Sequence, residues 1–122
     1  PSDTKDTMQR TLDLALELQC EWANFYSAMA YPGSALYDQA VKAGTRLPVS
    51  WAGYAQLSRE CVPLPTETLS SEEVLAFRDY AFHAYFTDAG YLSHLRKTFG
   101  DTAVAEVQDV VKRPLPRDIL GT

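Results

Sequence analysis

Positive charge is scarce in this chain. There are 11 Lys and Arg against 16 Asp and Glu in 122 residues, a net charge of −5 and a pI near 4.9. Phosphate binding needs clustered cations, so nucleic acid is not expected as a partner. Long apolar runs are missing as well. Nothing approaches the roughly 18 consecutive apolar residues of a spanning helix, so no membrane partner is expected either. No basic-then-apolar leader opens the chain. Pro1 stands where an initiator methionine would, which fits a fragment or a processed chain. Two cysteines, Cys20 and Cys61, are too few for a disulfide framework and read as reduced thiols of a cytoplasmic protein. Gly-rich phosphate loops, nucleophile elbows, internal repeats and low-complexity tracts are all absent.

What the chain does have is an ordinary globular composition, 46% hydrophobic and 22% charged, enough for one modest core. The stretch from Asn24 to Ser34 organises the rest. Phe25, Tyr26 and Met29 favour a pleated, packed setting, which predicts a strand over 24–30. Pro32 and Gly33 end it in a tight turn, and Ser34 is placed to cap a following helix. A single strand leaves its backbone groups without partners. Its neighbours are therefore expected upstream of Pro1.

Helices are predicted on both sides of this stretch. Residues 5–20 begin after Asp3 or Thr4 as N-cap and carry Met8, Leu12, Leu14, Ala15, Leu16 and Leu18. These spread over roughly 200° of the helix, wider than the apolar stripe of a surface helix, so contact on two sides is expected. Residues 34–43 form the next helix, with Gly44 as the residue that stops it. From Thr45 to Thr68 prolines break the pattern, and Trp51 and Tyr54 read as aromatic pins holding a long loop down. Ser50 is expected to cap a short turn there. Ser70 and Glu73 make a capping box. The helix they open runs to about Thr87 with Val74, Phe77, Arg78, Ala81, Phe82 and Tyr85 on one face. Two further helices follow, the first closed by Gly100 and the second ended by Pro114 and Pro116.

No catalytic constellation emerges from these residues. His83 and His94 lie on successive helices, but no cysteine or carboxylate cluster accompanies them at metal-ligand spacing. Structural or surface roles suit both histidines. Glu72 and Glu73 serve helix capping and polarity rather than paired-carboxylate chemistry. Neither catalytic nor metal-binding residues are assigned.

Several segments carry a resemblance. The run Ser2-Asp3-Thr4-Lys5-Asp6-Thr7-Met8-Gln9-Arg10-Thr11, followed by an apolar helix, resembles the helix start after the fifth strand of the radical S-adenosylmethionine enzymes. Ala30-Tyr31-Pro32-Gly33-Ser34-Ala35-Leu36-Tyr37 resembles the turn after their sixth strand. Gly44, the loop through Trp51-Ala52-Gly53-Tyr54 and the segment from Leu69 to Asp79 are similar to the C-terminal extension of members with an N-terminal cobalamin-binding domain.

The resemblance implies a mainly α chain with one or two short strands: the tail of a partial (β/α)6 barrel followed by a C-terminal three-helix segment. Residues 1–45 would be the last helix-strand-helix unit, 46–69 a connecting loop, and 70–122 a helical extension. The parent would be an Fe-S oxidoreductase using a 4Fe-4S cluster, S-adenosylmethionine and cobalamin, in radical methylation or rearrangement. Ala28, Met29, Ala30, Tyr31, Pro32 and Gly33 would lie on the adenine side of its pocket. The defining Cys-x-x-x-Cys-x-x-Cys loop is not in this sequence, so the fragment alone is expected to hold no cofactor and to be inactive. Its partners would be the upstream barrel and cobalamin-binding domains of the same polypeptide, or a second copy through strand 24–30. The alternative is a stand-alone helical protein-interaction module.

Overall fold

The computed structural model describes residues 1–122, and its regular structure is all helical, with no strand. Five α-helices are formed: α1 Lys5–Leu18, α2 Ala35–Lys42, α3 Ser71–Thr87, α4 Ala89–Phe99 and α5 Asp101–Lys112. Short 3-10 turns occupy Trp51–Tyr54 and Asp118–Leu120. No helix is long and apolar enough to cross a membrane. The mainly α expectation holds. The strand over 24–30 does not: these residues carry no regular structure. A strand is defined by its ladder, and no neighbouring strand is present to form one.

The helix boundaries follow local chemistry. Ser34 Oγ accepts from the Tyr37 backbone N–H at 3.1 Å. The α2 helix ends in a Schellman motif, with Thr45 N–H on the Ala40 carbonyl, Gly44 N–H on that of Val41, and Gly44 at φ +67. The capping box at α3 is reciprocal: Ser70 N–H donates to Glu73 Oε2 at 2.8 Å, and Glu73 N–H to Ser70 Oγ at 3.2 Å. Asp88 caps α4 by accepting from Tyr91 N–H at 2.9 Å. Gly100, at φ +87, ends α4 and stands directly before α5.

The chain forms two compact units. The first comprises Pro1–Thr4, Tyr26–Arg78 and Leu115–Thr122, and the second Lys5–Phe25 and Asp79–Pro114. In the first, Met29, Cys61 and Leu75 are buried together, with Ile119 and Leu120 packed against them. Ser71 Oγ donates to the Pro63 carbonyl at 2.7 Å, tying the start of α3 to the preceding loop. Gly53 is buried in that loop, where a Cβ would fall 2.5 Å from the Pro48 side chain.

The second unit has an aromatic centre. Phe86 meets Trp22 at 4.6 Å, Phe82 at 4.8 Å and Tyr85 edge-on at 5.1 Å between ring centroids. Tyr85 also meets Tyr91 at 4.8 Å. Such tilted and edge-on pairs stabilise beyond their buried area. Both phenols reach back to the chain just after α1: the Tyr85 hydroxyl donates to the Cys20 carbonyl, and that of Tyr91 to the Glu21 carbonyl at 2.9 Å. Of the α1 leucines, Leu12 is buried while Leu14 and Leu18 are exposed. The broad apolar surface read from the sequence is thus only partly covered within this chain.

Burial pushes the Tyr85 phenol up to about 12, with smaller contributions from Cys20, Tyr91, Glu21 and Asp88. A raised phenol contributes stability that is complete below its ordinary value of 10.0 and is lost as pH climbs through the folded value. The second unit is therefore expected to lose stability between pH 10 and about 12, with its denaturant midpoint falling as tyrosinate absorbance rises. Ionisation of every tyrosine near pH 10 with the helices intact would contradict this.

Candidate functional site

Residues 28–33 form the end of the irregular segment and its turn. Met29 and Ala30 are buried, while Ala28, Tyr31, Pro32 and Gly33 are exposed. Ser34 N–H donates to the Tyr31 carbonyl at 3.1 Å. With Pro32 in the second position and Gly33 at φ +89 in the third, this is a type II turn. Ser34 Oγ donates to the same Tyr31 carbonyl at 2.7 Å while capping α2, so one hydroxyl joins turn and helix. Nothing lies within 4 Å of a Cβ built on Gly33. Gly33→Ala is then penalised by backbone conformation alone, and a loss of about 1 kcal/mol is expected in a denaturant titration. An unchanged midpoint would mean the turn can dispense with its positive φ.

The segment's backbone is held by side chain and loop instead of a strand. Gln56 brackets Ser27: its Nε2 donates to the Ser27 carbonyl at 2.8 Å, and its Oε1 accepts from the Ser27 N–H at 3.0 Å. Leu64 N–H donates to the Ala28 carbonyl at 3.0 Å. Beyond that point the support stops. No hydrogen bond within the chain engages the backbone of Met29 or Ala30, although these residues are only 6% and 3% exposed. Ser27 Oγ is also buried without a partner.

Beside the turn lies an aromatic cluster. Tyr54 sits 6.0 Å from Tyr31 and 6.1 Å from Trp51 between ring centroids. Burial raises the Tyr54 phenol above its ordinary value, and Tyr37 adds to the effect. Trp51 is 80% exposed and Tyr31 52%, so Trp51 is not the pin expected of it. The loop is anchored by Gly53, Cys61, Val62 and Pro63, all buried, with Val62 N–H on the Gly53 carbonyl at 3.0 Å. Ser50 makes no cap either. Its Oγ donates to Glu60 Oε2 at 2.5 Å.

Gln56 and Arg117 are the residues that sequence reasoning missed. Gln56 lies in a loop without periodicity and Arg117 follows two prolines, and neither context marks a buried partner. Only the fold shows their roles. His83 is exposed and His94 half-buried, and no group of three His, Cys, Asp or Glu side chains is arranged to hold a metal. Comparison with protein-family models, with curated proteins and with solved structures gave no match.

Proposed function

We propose that this chain is the C-terminal portion of a radical S-adenosylmethionine protein of the type that carries an N-terminal cobalamin-binding domain. One observation carries the reading beyond the motifs themselves. Met29 and Ala30 are buried, yet their backbone groups find no partner in the chain. Buried peptide groups are almost always paired. A strand from an upstream barrel would supply partners once the loop that now covers these groups moved aside. The exposed leucines Leu14 and Leu18 on α1, and the exposed Trp22, Tyr26 and Tyr31, are consistent with surfaces covered by further chain.

In this reading Ala28, Met29, Ala30, Tyr31, Pro32 and Gly33 close the last turn of the barrel mouth and offer backbone groups to the adenine side of S-adenosylmethionine. The residues present do not fit an Fe-S cluster. Cluster ligation needs three or four convergent thiolates, and Cys20 is exposed while Cys61 is buried in the Met29 core. Cluster and cobalamin would therefore be held upstream, and the chain by itself would catalyse no step.

An antibody raised against this chain tests the proposal through the mass of the native product. A product several times larger than 13.6 kDa, with a three-cysteine loop upstream, is expected. A native product of 13.6 kDa would overturn it. The stand-alone interaction module would then be the better account, favoured by the exposed rings of Trp51 and Tyr31, each beside Tyr54. Limited proteolysis separates the two readings further: early loss of residues 1–45 with survival of 70–113 favours the barrel tail. Without the upstream part the isolated chain is expected to self-associate through exposed rings such as Tyr26 and Tyr31, and a strict monomer in concentrated sedimentation runs would count against this.

A further inference from the structure

The C-terminal residues after Pro114 fold back as a strap. The 3-10 turn Asp118–Leu120 is closed by Thr122, whose N–H donates to the Arg117 carbonyl at 3.2 Å and whose Oγ1 accepts from the Arg117 N–H at 2.9 Å. Arg117 is only 1% exposed. A buried guanidinium is costly unless its N–H groups are engaged, and one of its nitrogens donates to the Ser58 carbonyl at 2.7 Å. Next to it, Asp118 N–H donates to the Arg59 carbonyl at 3.0 Å, and the Asp118 carboxylate pairs with Arg59 Nε at 2.5 Å. Ile119 and Leu120 then pack against Met29, Cys61 and Leu75.

The loop that the strap grips is the loop that grips the site. Gln56 holds Ser27, and Leu64 holds the Ala28 carbonyl. Ser58 and Arg59, the points of attachment for Arg117 and Asp118, lie between these two residues. The strap thus reaches residues 27–29 by two routes: through loop 55–64, and through the apolar cluster to which Met29 belongs. We infer that the C-terminal strap sets the position of residues 27–30, with Arg117 as its positioning residue. The functional meaning of that position rests on the barrel-mouth reading above. The mechanical coupling does not.

Residue-resolved hydrogen exchange on the full chain tests the coupling, and does so whether or not the barrel-mouth reading stands. The amides of Ser27 and Leu64 are the probes, because each donates a defined bond. In Arg117→Ala, exchange at both is expected to rise about tenfold or more through local opening, with amides of α4 and α5 changing less than about twofold. Arg117→Lys should not restore protection, since an ammonium lacks the planar fork of donors. Should Arg117→Ala fail to fold, Asp118→Ala serves instead. It removes an exposed pair, and a rise of about threefold at the same two amides is expected. Unchanged protection at Ser27 and Leu64, or a uniform rise extending through α4 and α5, would overturn the inference.

Discussion

Tyr85→Ala is expected to destabilise the chain by about 3–5 kcal/mol, the range for deleting a buried aromatic ring. The ring is fully buried and touches Phe25, Phe86 and Tyr91, so its removal leaves a cavity among large side chains that have little room to collapse. Tyr85→Phe separates ring from hydroxyl. It keeps the packing but leaves the Cys20 carbonyl without its donor, for an expected loss of about 1 kcal/mol. It should also weaken the alkaline transition, because the phenol whose ionisation drives it is gone. Denaturant titration of both variants measures the two effects. A Tyr85→Ala loss below about 1 kcal/mol would mean that the aromatic centre is not the core of the second unit.

The second large effect concerns the segment that carries the site. Gln56 both donates to and accepts from Ser27, and an amide or a protonated acid can do both from two adjacent atoms. Gln56→Glu at neutral pH keeps an acceptor for the Ser27 N–H but places a carboxylate against the Ser27 carbonyl. A loss of about 2–3 kcal/mol is expected, because one bond is replaced by repulsion between partly buried acceptors. Protonating the introduced carboxyl restores a donor. The repulsion raises the introduced carboxyl's folded value, so the difference from the parent chain should shrink as pH falls toward about 4, where glutamate in the unfolded chain protonates as well. Gln56→Met, which fills the space without polar atoms, should lose a similar amount at every pH. Thermal melts across that range check the pattern, and a pH-independent Gln56→Glu effect would remove the bracket as its cause.

How legible these features were depends on the distance over which each is decided. Helix ends were legible because caps act within a turn: Ser34, Ser70 with Glu73, Gly44 and Gly100 each do what their local pattern announced. The Pro32-Gly33 turn was legible for the same reason. The buried face of α3 was read only in part. Leu75 and Phe86 are fully buried as well, because that helix is covered more widely than a single stripe.

The strand over 24–30 failed on another ground. Its residue types suit a pleated environment, but a strand exists only through its neighbours, and here the available partners are a glutamine side chain and the Leu64 amide. Trp51 was read as a pin because aromatic rings in loops commonly bury themselves. Its 80% exposure reflects an anchoring job already taken by Cys61, Val62 and Pro63. Composition and short-range pattern thus determined that the chain is helical, where its helices begin and end, and that a proline-glycine turn leads into α2. Tertiary structure alone decided that Gln56 would bracket Ser27, that Arg117 would be buried against Ser58, and that Met29 and Ala30 would be enclosed without backbone partners. Those outcomes join residues from about thirty to about sixty positions apart, and neither propensity nor periodicity reaches that far.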